Sequence, residues 1–187
     1  MPEPTSPSGP PIPLNLHHLP VVAGLAVPWI TPRLPDGRHL FGLLEQGRQH
    51  SCLTQRLCQV CGRPLDRVFV LLARASDLRR RRTAEPPVHP SCAAYTMRVC
   101  PMVAGRMAHY RAQPHDLAGL AAVFPDAPAR LGAPAEPWFT VWLRSYTVIT
   151  DPATGALSAS YRPTDPLRIR AVRSEAIPTS ARQDQAP

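Results

Sequence analysis

The sequence predicts a small α+β domain, organised around a cluster of thiols and a histidine and followed by an antiparallel β-rich third. Three observations carry this expectation. A C-x-x-C-G run at 58–62 is answered further on by H-x-x-C at 89–92; the run WFTVWLRSYTVIT at 138–150 alternates in polarity and leads into turn residues; and prolines crowd the first thirteen residues. Of the 187 residues, 42 are Leu, Ile, Val or Phe, a share just above the roughly 20% below which disorder is expected. With 25 Pro and 10 Gly, a modest core surrounded by much irregular chain is the expectation.

The elements follow in order. Residues 1–13 carry Pro2, Pro4, Pro7, Pro10, Pro11 and Pro13, and with residues 178–187 they read as disordered tails around a single domain at 14–177. Val21 to Ile30 is β-branched and apolar, a strand or a strand broken at Pro28. Residues 40–49 make a short helix at best, weakened by Gly42 and Gly47. Arg67 to Ala73 is continuously apolar, a strand buried on both faces. Ser91 to Cys100 is a helix with Pro90 at its first position and Pro101 beyond its end, and residues 116–124 read as another helix capped by an Asp. The β-rich run 138–150 turns at 151–155 and returns through Leu157 to Tyr161, with Leu167 to Val172 as a further strand. This reads as a two- or three-stranded antiparallel meander, the β-rich part of the domain at about 138–173.

The cysteines are the most specific signal. In a C-x-x-C turn two intervening residues aim both sulfurs at one point, and Gly62 supplies the positive φ that such knuckles need. His89 and Cys92 sit three residues apart where a helix begins, so both side chains meet on one face. Cys58, Cys61, His89 and Cys92 thus form a ligand set of three Cys and one His, the donor set of a closed tetrahedral structural zinc site. Knuckle, strand, then a helix giving the last two ligands is the order of a treble-clef zinc finger, here a zinc core at about 50–111. Cys100 lies about 12 Å further along that helix and is expected to be a packed thiol. Cys52, six residues before the knuckle, is the alternative to His89. A redox C-x-x-C would open a helix after a strand, which Pro64 disfavours.

A closed site holds no activated water, which points away from zinc hydrolase chemistry. Base deamination fails for want of H-x-E before P-C-x-x-C. An HNH-type nuclease is disfavoured because Asn15 is the only Asn and no His lies between the ligand pairs. The other histidines, at 17, 18, 39, 50, 109 and 115, show no triad or ligand spacing.

All 21 basic residues are Arg, so a Walker-type phosphate loop, a Schiff-base lysine and a kinase lysine are impossible. The formal charge is +8, and the excess is concentrated between Arg48 and Arg111, which hold 12 of the arginines and only Asp66, Asp77 and Glu85 as acids. A basic block of this kind suits a polyanion, nucleic acid first, or else a solvated face. Arg79, Arg80, Arg81 and Arg82 are expected on a loop between the ligand pairs, their charge free for DNA or RNA phosphates. The best apolar run, Leu19 to Ile30, is interrupted by Pro20 and Pro28 and is too short to cross a membrane. With no basic leader and an odd number of cysteines, the expected setting is reduced, soluble and cytoplasmic, without a membrane partner.

The runs VPWIT (27–31), CQVCGRPL (58–65), HPSCAAYT (89–96) and CPMVAGRM (100–107) resemble a family of uncharacterised actinobacterial proteins, small and zinc-finger-like. The similarity spans residues 20 to about 175. The resemblance implies a zinc protein of shared architecture and brings no activity and no catalytic residue.

Three classes of function follow. The first is a zinc-stabilised nucleic-acid-binding protein using the Arg79–Arg82 run. The second is a protein-binding adaptor or scaffold, for which the zinc core and the Pro-rich tail suffice. The third, an enzyme with an unrecognised site, is the least supported.

Overall fold

The computed structural model describes residues 10–114, 128–151 and 155–172. Its organising element is β3, Phe69–Arg74, in which all six residues are buried. A run without polar alternation is stable only where both faces of a sheet are covered, and β3 has cover on both. It pairs antiparallel with β5, Trp138–Leu143, from Phe69 opposite Leu143 to Arg74 opposite Trp138. On its far side β5 pairs with the edge strand β8, Arg168–Ala171.

Alternation along the strands divides the apolar side chains between two cores. Val70, Leu72 and Trp138 face a core shared with the N-terminal segment (Leu16, Leu19, Ala26), the knuckle and α3, Pro90–Val99. Phe69, Leu71, Ala73, Val141 and Leu143 face a second core with Leu53 of α1, Gln46–Thr54, and with Ala159 and Tyr161. The second core is backed by a small antiparallel sheet of β4 (Arg82–Thr83), β7 (Leu157–Ser160) and β6 (Thr147–Thr150). A short helix, α2 (Ala75–Arg80), links β3 to β4, and β1 (Val21–Val22) with β2 (Leu25–Ala26) forms a minimal hairpin near the N-terminus.

The buried strand and the helix opened by Pro90 form as the sequence predicts. The helix expected at 40–49 instead occupies 46–54. Glu45 sets that start, because its carboxylate accepts from the backbone N–H groups of Gly47 and Arg48, both at 2.9 Å. Upstream, Gly42 has φ +89°, incompatible with a right-handed helix there. The β-rich third is not a meander of its own: β5 and β6 separate at residues 144–146 and enter different sheets. Only the β6–β7 hairpin, Thr147 opposite Ser160 to Thr150 opposite Leu157, matches the local expectation. The partners of β5 and β8 are fixed by β3, far away in sequence. The helix expected at 116–124 and the tail residues 1–9 and 178–187 lie outside the described residues, whereas Ile12 packs against the first core. Among the described residues no helix is long and apolar enough to cross a membrane.

Candidate metal centre

The knuckle is closed by its own backbone. The Cys58 amide donates to the Arg63 carbonyl and the Gly62 amide to the Cys58 carbonyl, both at 2.8 Å. Gly62 has φ +73°, and a Cβ built there would lie 2.8 Å from Cγ of Trp29. The glycine therefore meets two demands, a left-handed turn and close approach of an indole. His89 stands immediately before α3, and Pro90 begins the helix with its fixed φ. Cys92 then falls in the first turn, on the same side as His89.

The ligand atoms of Cys58, Cys61, His89 and Cys92 all lie within 4.8 Å of one another. All three cysteines are buried, and none of the five in the chain is in a disulfide. The arrangement is consistent with a metal site. Nδ1 of His89 lies 3.3 Å from Sγ of Cys61, while Nε2 lies 2.9 Å from the Pro64 carbonyl, to which it donates. That outer hydrogen bond occupies Nε2 and leaves Nδ1 turned toward the sulfurs, the nitrogen through which the ring would reach a metal. Around the thiols, Nδ2 of Asn15 donates to Sγ of Cys92 at 3.3 Å, and Nε2 of His18 donates to the Cys61 carbonyl at 3.0 Å.

The clustered groups shift one another's protonation, and the Cys61 thiol is raised, first by its hydrogen bond with Cys58. Burial acts to raise the Cys58 thiol, but hydrogen bonds from Cys61, Cys92 and His89 outweigh it and hold Cys58 well below the ordinary thiol range. Hydrogen bonding with Cys58 raises the imidazole of His89 above its usual value. Cys92 is pushed up, first by its hydrogen bonds with Cys58 and Cys61 and then by burial. Four N and S donors this close leave none of the oxygen-rich character that Mg²⁺ or Ca²⁺ requires.

Cys52 and Cys100 are outside the cluster. Burial, with the neighbouring Cys58 and Cys61, pushes the Cys52 thiol up to about 12, that of a neutral packing residue. Cys100 is half-buried and packs against the first core. The structure thus brings together His89 rather than Cys52 with the other three cysteines.

The arginine run is not a loop. Arg79 and Arg80 form the last turn of α2, Arg81 follows in the left-handed region at φ +50°, and Arg82 opens β4. Two of the four are engaged by the C-terminal third. Nη2 of Arg81 donates to the carbonyls of Tyr161 and Thr164, at 3.2 and 2.8 Å, and lies 3.8 Å from Asp165. Arg82 lies 3.6 Å from Asp151. Arg79 and Arg80 are exposed, with no carboxylate within ion-pair distance among the described residues. The acids nearest in sequence, Asp77 and Glu85, are taken by Arg74, at 3.4 and 2.7 Å, and Arg74 also stacks over Trp138.

Beside the knuckle lies an open groove of about 410 Å³, lined by Trp29 and Arg48 among others. Arg48 packs over the Trp29 ring and donates to the carbonyls of Trp29 and Thr31. Asn15, His18 and Trp29 carried no local signal of this role. The positive φ expected of Gly62 does not by itself announce the indole packed against it. Compared with protein-family models, curated proteins and solved structures, the chain finds no match.

Proposed function

We propose that the protein binds one structural zinc ion and uses its basic surface to bind nucleic acid. The observation that supports the zinc is the convergence of Cys58, Cys61, His89 and Cys92, four protein donors that leave no position for a reactive water. Knuckle, buried strand and ligand-bearing helix succeed one another in treble-clef-like order, although β3 here takes its partner from β5. Bound zinc would supply folding energy and no catalysis. Arg79 and Arg80, exposed and unmatched by acids among the described residues, support a phosphate-binding surface.

Elemental analysis of the purified protein tests the metal, with one zinc per chain expected; three protein ligands plus a water in a metal-bound structure would overturn the structural role. Titration of labelled DNA and RNA tests the second half. Wild type should bind with an affinity that falls steeply with salt, and Arg79→Ser with Arg80→Ser should weaken it. Absence of binding at about 50 mM salt, where phosphate contacts are strong, rejects it. One observation favours a protein-binding adaptor instead: the edge strand β8 carries the exposed apolar side chain of Ile169, at 48% exposure, and follows that of Leu167, at 49%.

A further inference from the structure

We infer that the groove beside the knuckle binds single-stranded nucleic acid, taking a backbone phosphate on its arginines and an unstacked base against its apolar wall. The inference rests on the nucleic-acid reading above and gives it a second, built location. The groove lies between the N-terminal hairpin and the start of α1 and carries Arg33, Arg48, His18 and His39 around a wall that includes Pro20 and Pro28. No acidic residue lines it. Its size suits one nucleotide, since small-ligand sites begin near roughly 300 Å³.

The three arginines near it differ in how far they are committed. Arg48 is held by the Trp29 and Thr31 carbonyls and lies 3.6 Å from Glu45. Arg33 donates from Nε to the Gly37 carbonyl at 3.3 Å and has no carboxylate partner among the described residues. Arg63, exposed on the knuckle, reaches Nδ1 of His18 at 3.5 Å and likewise has no carboxylate partner there. Arg48 thus fixes the wall, while Arg33 and Arg63 have donors left for phosphate oxygens.

Strand number follows from the apolar wall. A duplex keeps its bases stacked and offers a protein mostly phosphate, so the proline wall and the imidazoles of His18 and His39 would contribute nothing. A single strand can splay a base against such a surface, where apolar and aromatic contact adds to the phosphate clamp. Gly62 and Arg48 both pack against the Trp29 ring, so the indole supports the wall and is not itself the stacking platform.

The test titrates metal-loaded protein with a labelled oligothymidylate, with a duplex of equal length and with AMP, across a salt series. Wild type should prefer the single strand. Arg33→Ser with Arg63→Ser should weaken single-strand binding about tenfold and flatten its salt slope by about 1.4, two contacts at about 0.7 each. Duplex binding should change little in that variant and fall in Arg79→Ser with Arg80→Ser. Pro20→Asp, which sets a carboxylate in the groove, should weaken single-strand binding as well. Unchanged metal content and circular dichroism confirm that the variants are folded. Wild-type affinity for the single strand in both groove variants overturns the groove site and leaves the nucleic-acid reading standing. Binding of AMP as tight as the strand overturns the strand assignment, and no binding of any probe by wild type overturns both readings.

Discussion

Each of the four cluster residues reaches its position by a different device, and a single substitution tests each one. Replacing Cys58, Cys61, His89 or Cys92 by Ala removes one of four donors from a buried site and should abolish stoichiometric metal binding and much of the fold, since structural metal-binding energy is folding energy. Cys52→Ser and Cys100→Ser should retain the metal, because neither sulfur belongs to the cluster. Metal content by elemental analysis, read beside thermal unfolding, separates the two groups of variants. Gly62 is the second sensitive position. Gly62→Ala forces φ +73° on a residue with a side chain and drives its Cβ to 2.8 Å from the Trp29 ring. Overpacking of this kind costs about 1–3 kcal/mol, with left-handed strain added. Urea unfolding of the metal-loaded variant should show the loss, and a midpoint equal to wild type would contradict the Trp29 contact.

At the scale of elements, α2 is too short to stand on its own and is held at its start by two carboxylates. Asp77 accepts from the Arg74 amide at 3.0 Å, and Glu136, just before β5, accepts from the amide and hydroxyl of Ser76 at 2.7 and 2.9 Å. Burial acts to raise Glu136, but the two hydrogen bonds from Ser76 prevail and hold it below its ordinary 4.5. A carboxyl depressed in the folded state stabilises above its unfolded value, and that contribution is lost as pH falls through the folded one. Glu136→Gln should therefore be less stable than wild type at neutral pH. The difference should shrink as pH is lowered below about 4. Both proteins carry the same cysteine and histidine cluster, so the difference between their unfolding midpoints reads Glu136; a gap independent of pH would remove the carboxylate from this role.

For the whole molecule, the decisive feature is that one sheet separates two cores and the cysteine and histidine cluster lies in the first of them. That core joins the N-terminal segment, the knuckle, α3 and the even-numbered face of β3 and β5, so no element on that side is independent of the cluster. Chelation should accordingly unfold the domain in one step. Near-ultraviolet circular dichroism, to which Trp29, Trp138 and Trp142 of that core contribute, should be lost in parallel with the far-ultraviolet signal as chelator is added. Two separate transitions would show that the second core, around Leu71, Val141 and Tyr161, survives without metal.

The ligand set, the buried strand and the Pro-initiated helix were legible in the sequence because each depends on neighbours within a few residues. C-x-x-C-G dictates a turn, an unbroken apolar run dictates double burial, and H-P-x-C dictates a helix start with two ligands on one side. Strand partnership was not legible, since local alternation names a strand without saying what it pairs with. β5 and β6 adjoin in sequence, yet β3 captures one and β4 with β7 organises the other. The arginine run shows the same division. Charge count made all four residues equivalent, but packing of the C-terminal third brought Asp151 and Asp165 to Arg82 and Arg81 and left Arg79 and Arg80 exposed. Asn15 reached Cys92 across 77 residues for the same reason. By itself the sequence determined the C-x-x-C knuckle and the H-x-x-C helix start, with Cys52 still an alternative to His89, and the fold brought Cys58, Cys61, His89 and Cys92 together. Only the tertiary structure decided which charges remain available, because ion pairing acts through space and the nearest acid in the chain is not the nearest in the fold.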